Sequence, residues 1–483
     1  MLIPMRSGPL LLPLLSAFAG LLACRPPKPP DTPPPEPARL SSLEERGLSP
    51  VEAAPVINPP PLLLTGAKVM TAAGVTHDPG WVLLRDGRIA ELGAGEPPAA
   101  QDARRIDLAG RVITPGLIDT HSHIGVYAAP DAQAHSDGNE MTSPVTAGVW
   151  SEHAVWPEDP QLELLVAGGV TTAQILPGSG NLIGGRGVIL HLVPTRGARA
   201  MRLPGAPETL KMACGENPKR VYGERGSEPS TRMGNLHTQR EAFYAAERLL
   251  RDWEDYTQEH EDWAKDGAEG DPPTPPDRDL AQETLALVLR GDILPQVHCY
   301  RADDMLNMLQ LADELGFSIR SFHHALEAYK IRDVLAERDV AVSTWADWWG
   351  FKLEAWDGIE ANAAMLAQAG VRAVIHSDSP IGAQRLNQEA AKARRAGAQV
   401  GITFTDDQTL RWITANPAWA LGVEDQIGTL EPGKRADLTV WDGDPFSVYT
   451  HAELVIIDGS LRYRHDDGSQ PWSDWTLGRE VTP

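Results

Sequence analysis

The pattern of apolar runs changes twice along this chain, and those two changes limit its architecture more than any other feature. From 62 to 113 the sequence reads as short strands separated by turns, at 62–70, 81–85, 88–92, 105–108 and 111–113, with Asp86-Gly87 as a hairpin turn. After Gly116, β-rich runs at 169–176, 188–193, 294–299, 318–323, 340–344 and 371–375 alternate with helical stretches such as 240–264, 302–315 and 359–369. Such alternation is the mark of βαβ units around a parallel sheet. Near 421 the short β runs return, at 428–430, 436–441 and 454–462. Two β segments therefore bracket a barrel, and the ends of the chain are expected to share one β-sandwich. A length of 483 residues suits that plan, since a barrel alone takes roughly 250. The expected divisions are 1–24, 25–61, 62–114, 115–420, 421–465 and a polar tail, 466–483.

The barrel opens on Pro115-Gly116-Leu117-Ile118-Asp119-Thr120-His121-Ser122-His123. Side chains two apart in a strand share a face, so both imidazoles can reach one cation while Ser122 points away. Imidazole nitrogen suits zinc and its neighbours, and a site with few protein ligands keeps a position for water.

The formal charge of −23 argues against nucleic acid or an anionic membrane surface as the main partner. The first 24 residues read as a targeting segment, with Arg6, an apolar stretch from 10 to 22 too short to span a bilayer, and Leu21-Leu22-Ala23-Cys24 at its close. That ending resembles a bacterial lipobox, which makes Cys24 the expected lipidation site. The proline-dense segment 25–61 is then a semi-rigid spacer. The expected location is the bacterial cell envelope, lipid-anchored, periplasmic or surface-exposed, with membrane contact through the anchor only. Cys214 and Cys299 are the other cysteines, and no disulfide framework is implied; Cys299 reads as a buried apolar thiol.

The segment around His121 and His123, the later Ile375-His376-Ser377-Asp378, and Gly428-Thr429-Leu430-Glu431-Pro432-Gly433-Lys434-Arg435-Ala436-Asp437-Leu438 together resemble the amidohydrolase superfamily, specifically its imidazolonepropionase-like branch. The resemblance covers approximately 62–462. It implies a TIM (β/α)8 barrel with catalytic groups at the carboxyl ends of the strands. It also implies Zn2+ or another divalent metal, one or two per chain, held by His121, His123, His298, His324 and Asp378. His323 is the rival of His324, because only one of two neighbouring strand residues is expected to face the barrel centre; His324 is preferred for the Glu327-Ala328-Tyr329 that follows. Many relatives bridge two cations with a glutamate or a carboxylated lysine. Glu216, preceded by Gly215, is favoured here over Lys211.

Gly178-Ser179-Gly180-Asn181-Leu182-Ile183-Gly184-Gly185-Arg186 lacks the glycine spacing of a dinucleotide loop. It is read as a flexible loop over the site, with Arg186 as a clamp for a substrate carboxylate. Trp345, Trp348 and Trp349 either line an apolar substrate pocket or pack their loop against the rim.

The expected function is cleavage of a C–N bond in a small amide, dipeptide or cyclic amide by metal-activated hydroxide, with Asp378 and His324 as catalytic groups. The alternatives are a deaminase or lactonase on the same barrel, or a non-catalytic binding lipoprotein. Oligomeric state is left open, a homo-oligomer included.

Overall fold

The computed structural model describes residues 36–40 and 59–465. The segment carrying Cys24 lies outside the described residues. Five strands come first: β1 (Leu62–Met70), β2 (Thr76–Arg85), β3 (Arg88–Ala94), β4 (Arg104–Asp107) and β5 (Val112–Pro115). The β2–β3 turn is the Asp86-Gly87 pair, whose φ values of 50° and 71° suit a two-residue hairpin following the strand twist.

The barrel strands follow: β6 (Leu117–Ser122), β7 (Val170–Ile175), β8 (Ile183–His191), β9 (Glu208–Ala213), β10 (Ile293–Cys299), β11 (Ser321–His324), β12 (Ala341–Thr344) and β13 (Ala373–Ile375). They lie side by side in chain order. The wall is nearly closed, with the Asp378 amide donating to the His121 carbonyl (2.9 Å) and the Ser377 amide to Asp119 (3.1 Å). The sheet is mixed, because β8 runs antiparallel to both β7 and β9. The glycine-rich stretch read as a flexible loop enters β8, and the reversal has a simple cause. Only 176–182 join β7 to β8, and a parallel return needs a crossover of about a dozen residues or more.

Helices cover the outside. The longest, Arg232–Lys265, is capped by Thr231, whose side chain accepts from the Gly234 amide, and it buries Phe243, Ala246, Leu249, Trp253 and Tyr256. These fall at helical spacing, so one stripe faces the barrel. Ala302–Leu315 ends where Gly316 takes a left-handed conformation, φ 76°.

Strands β14 (Leu438–Trp441), β15 (Ala452–Ile457) and β16 (Ser460–Arg464) complete the first sheet, in the order β16-β15-β14-β5-β1-β2-β3. The segment that leads into β14 lies against the edge strand β3, Ile89 N–H donating to the Lys434 carbonyl and Gly433 N–H to the Ile89 carbonyl. Leu64, Val82, Ile89, Leu438 and Ile456 share the enclosed core. His191 of β8 ties this sheet to the barrel, reaching Asp437 at 3.0 Å and Asp458 at 3.3 Å.

Cys214 and Cys299 form a disulfide, which corrects the expectation of a free apolar thiol. The cause is register: Ala213 pairs with His298 across β9 and β10. The next residue on each strand is a cysteine, with Cα atoms 5.2 Å apart, within disulfide range.

Candidate metal and active site

His121 and His123 stand at the end of β6, the first 1% and the second 21% exposed at the side chain, and Asp378 reaches them from beyond β13. Asp378 Oδ1 lies 3.3 Å from His123 Nε2 and 3.7 Å from His121 Nε2; Oδ2 lies 3.9 Å from His324 Nδ1. His298 closes the ring from β10, its centroid 4.6 Å from that of His324. The structure thus brings five sequence-predicted residues, His121, His123, His298, His324 and Asp378, to one end of the barrel.

Hydrogen bonds orient both histidines of the first pair. Gln296 Nε2 donates to the Ala420 carbonyl at 3.1 Å, leaving its Oε1 to accept from His323 Nε2 at 2.7 Å. A neutral His323 then offers its Nδ1 lone pair to His121 Nδ1–H, 2.9 Å away. His121 Nε2 is left with a lone pair. His123 donates its own Nδ1–H to the Leu176 carbonyl at 2.8 Å, which turns its Nε2 toward Asp378. Both nitrogens face the Asp378 carboxylate, with Lys211 Nζ also 3.2 Å from His121 Nε2, and together they gather acceptors where a cation would bind. Metal-binding histidines are held by outer partners in this way.

The buried donor atoms fit a cation. His298 Nδ1, His324 Nδ1 and both nitrogens of His376 are buried without hydrogen-bond partners. Two groups have ligand atoms all within 4.8 Å of one another at this end of the barrel, His121 with His123 and Asp378, and His121 with His324 and His376. Imidazole and carboxylate donors suit zinc and similar divalent ions.

Only one of His323 and His324 was expected inward, yet both touch His121: His323 by its hydrogen bond and His324 by ring contact at 4.6 Å. The reason is that His324 leaves extended geometry, with φ 67° followed by 39° at Ala325. Asp378 also has positive φ, 48°. Such backbone collects where side chains are aimed for function.

Glu216, favoured in the sequence as the bridging anion, lies outside both ligand groups. Gly215, φ 76°, turns the chain out of β9, and Glu216 begins the helix Glu216–Glu224 with its carboxylate on Lys352 at 3.0 Å. Lys211, by contrast, sits inside β9, 1% exposed, with Nζ 3.2 Å from His121 Nε2. Burial lowers its pKa to about 7, against the opposing pull of Asp378. For Asp378, burial pushes upward, but His123, His376 and Lys211 together outweigh it and the carboxyl lies below its usual range.

Arg186 is placed elsewhere than the expected substrate clamp. It is 6% exposed in β8, paired with Glu208 and bonded to Thr284 Oγ1, 2.9 Å from Nε. Trp345 stacks on His324 at 4.3 Å and Trp348 on Trp345 at 5.1 Å, while Trp349 is 54% exposed at the rim. Sequence reasoning missed Asp119 and His376. Asp119 is fully buried, its pKa raised to about 6 by burial while it accepts from Ser377 and the His121 amide. His376 stands two residues before Asp378, the same spacing that marks His121 and His123, and that was the available signal.

Burial holds His121, His298, His323 and His324 well below the ordinary histidine range and takes His376 down to about 3. Unfolded, these rings take up protons near pH 6.5. Below that pH the unfolded chain binds more protons than the folded one, so stability is complete above about 6.5 and falls as pH falls, by about 1.4 kcal/mol per neutral histidine per pH unit. Metal-free protein is expected to show a much lower urea midpoint at pH 5.5 than at 7.5. Equal midpoints would contradict the neutral histidine cluster.

Residues 326–463 match the model of the Amidohydrolase family. The chain matches the crystal structure of an amidohydrolase from Thermotoga maritima MSB8 with a TM-score of 0.74 and 36% identity, covering 84% of this chain and 100% of that one. It is 35% identical over 400 residues to amidohydrolase tasK of Hapsidospora irregularis, covering 80% of this chain but only 40% of that protein. An imidazolonepropionase of Sphingopyxis alaskensis is 25% identical over 428 residues, covering 84% of this chain and 96% of its own. The chain belongs to the amidohydrolase superfamily, in its imidazolonepropionase-like branch.

Proposed function

We propose that the protein hydrolyses a C–N bond of a small amide, dipeptide or cyclic amide with one or two divalent cations, zinc foremost. The observation that carries this reading is the convergence of the His121 and His123 Nε2 atoms on Asp378 in a largely buried corner. His121, His123 and Asp378 would hold one cation, and His298 with His324 a second. A bound cation supplies an acidified water, its pKa taken from about 16 toward 7, and polarises the carbonyl under attack.

The chain's own groups do the rest. Asp378 accepts the proton from the attacking water and returns it to the departing nitrogen. Where only one cation is bound, His324, fixed against Trp345, steadies the oxygen on which charge develops. Lys211 is the group best placed to bridge. With a pKa near 7 a large share of its amine is neutral at physiological pH, and a neutral amine adds CO2 to give a carbamate and a proton, turning a buried cation into an anionic oxygen ligand.

The test is metal analysis of the purified protein followed by a screen of dipeptides, N-acyl amino acids and cyclic amides. One or two metals per chain and release of a carboxylate with an amine support the reading. Ammonia released from a nucleobase or amino-heterocycle in place of amide cleavage would assign a deaminase. The proposal extends to location: Cys24→Ser is expected to release the protein from membranes in a fractionation assay while leaving turnover unchanged, and unaltered membrane association would contradict the anchor.

A further inference from the structure

His376 has no part in the mechanism above, yet it is one of the least satisfied groups in the described structure. It is 1% exposed, and neither ring nitrogen has a hydrogen-bond partner. A buried polar group without a partner costs about 1 to 3 kcal/mol, and an imidazole has two such atoms to satisfy. Its neighbours are rings: His121 stacked at 5.1 Å, His324 edge-on at 5.0 Å and Trp345 at 5.1 Å. None of these contacts uses a nitrogen. Packing alone would be served as well by phenylalanine, which carries no desolvation cost.

What the nitrogens do face is a ligand set. A nitrogen of His376 lies within 4.8 Å of nitrogens on both His121 and His324. His324 Nδ1 is itself buried and unpartnered. Two observations, the orphaned nitrogens and their convergence with a second orphan, point to the same occupant. His121 belongs to both groups, and its Nε2 lies 3.7 Å from Asp378 in the group with His123.

We propose that His376 is a metal ligand, supplying an imidazole nitrogen alongside His324 to the cation on the His298–His324 side of the centre. This rests on the metal-dependent reading above. In consequence that position is lined by imidazole nitrogens, those of His324 and His376 together, and it favours nitrogen-preferring ions such as Zn2+ or Co2+ over Mg2+ or Ca2+.

The test is titration of chelator-treated protein with Co2+ and Zn2+, following the Co2+ absorption bands and the metal content after gel filtration. His376→Phe keeps a ring in the cage and removes both nitrogens. It is expected to lose one equivalent of metal or to weaken one equivalent at least tenfold, the other equivalent staying at wild-type affinity. Wild-type stoichiometry and affinity in a folded His376→Phe would overturn the assignment. Should that variant not fold, anomalous scattering from Zn2+-soaked wild-type crystals decides: a peak about 2.0 to 2.1 Å from a His376 nitrogen supports the proposal. Peaks only at His121, His123 and Asp378 would overturn it and leave the hydrolase reading standing, whereas wild type that binds no metal would overturn both.

Discussion

Asp378→Asn is expected to retain the fold and most of its metal while turnover falls at least about a hundredfold, a loss of about 2.7 kcal/mol of transition-state stabilisation. Asparagine keeps the size of the side chain and can still offer an oxygen near His123, 3.3 Å away in the wild type. It cannot accept a proton from water and pass it to nitrogen. The carboxyl lies below its usual range, so it is ionised and ready to accept at neutral pH. Steady-state kinetics with metal content on the same preparation separate the two roles of the residue. A variant with near wild-type turnover would refute the proton transfer, and one that loses all metal would recast Asp378 as chiefly a ligand.

Lys211→Met is expected to have the next largest effect. Methionine occupies nearly the same buried volume but has no amine, so the bridging carbamate cannot form. Metal content should fall from two equivalents to one, with a loss of turnover of at least about tenfold. The wild-type protein should also regain metal faster when bicarbonate is supplied. Glu216→Gln, which disturbs only the Lys352 pair, should keep its metal content. The reverse pattern, metal lost in Glu216→Gln and kept in Lys211→Met, would return the bridge to Glu216.

These two residues show how far the sequence could be read. Spacing placed His121 and His123 on one strand face, and the resemblance placed His298, His324 and Asp378; both depend on short motifs, and the structure brings all five together. Choosing between Lys211 and Glu216 needed to know that Glu208–Ala213 is a buried strand. A lysine in the middle of that run hides the apolar alternation, and the strand went unrecognised. The reversal of β8 was hidden for a related reason, since its glycines read as loop until the seven-residue connection, 176–182, rules out a parallel return.

Other features depend on partners far away in the chain. The Cys214–Cys299 pairing needs the register of two strands whose cysteines are 85 residues apart. The burial of Arg186 against Glu208 and Thr284 follows from the same strand placement. The inward turn of both His323 and His324 rests on a positive φ that no periodicity reveals. Long, strongly periodic elements gave no such trouble: the helix Ala302–Leu315 lies where the apolar spacing puts it.

The most direct test of the central claim is removal and return of metal with a single amide substrate. The wild-type protein, stripped by chelator at pH 7.5, where the histidine cluster is expected to keep the fold, should lose amide hydrolysis. It should recover on adding one to two equivalents of Zn2+, with carboxylate and amine appearing in equal amounts. Full hydrolysis by metal-free protein, or no recovery by refolded and metal-replete protein on any amide that the untreated protein cleaves, would contradict the account.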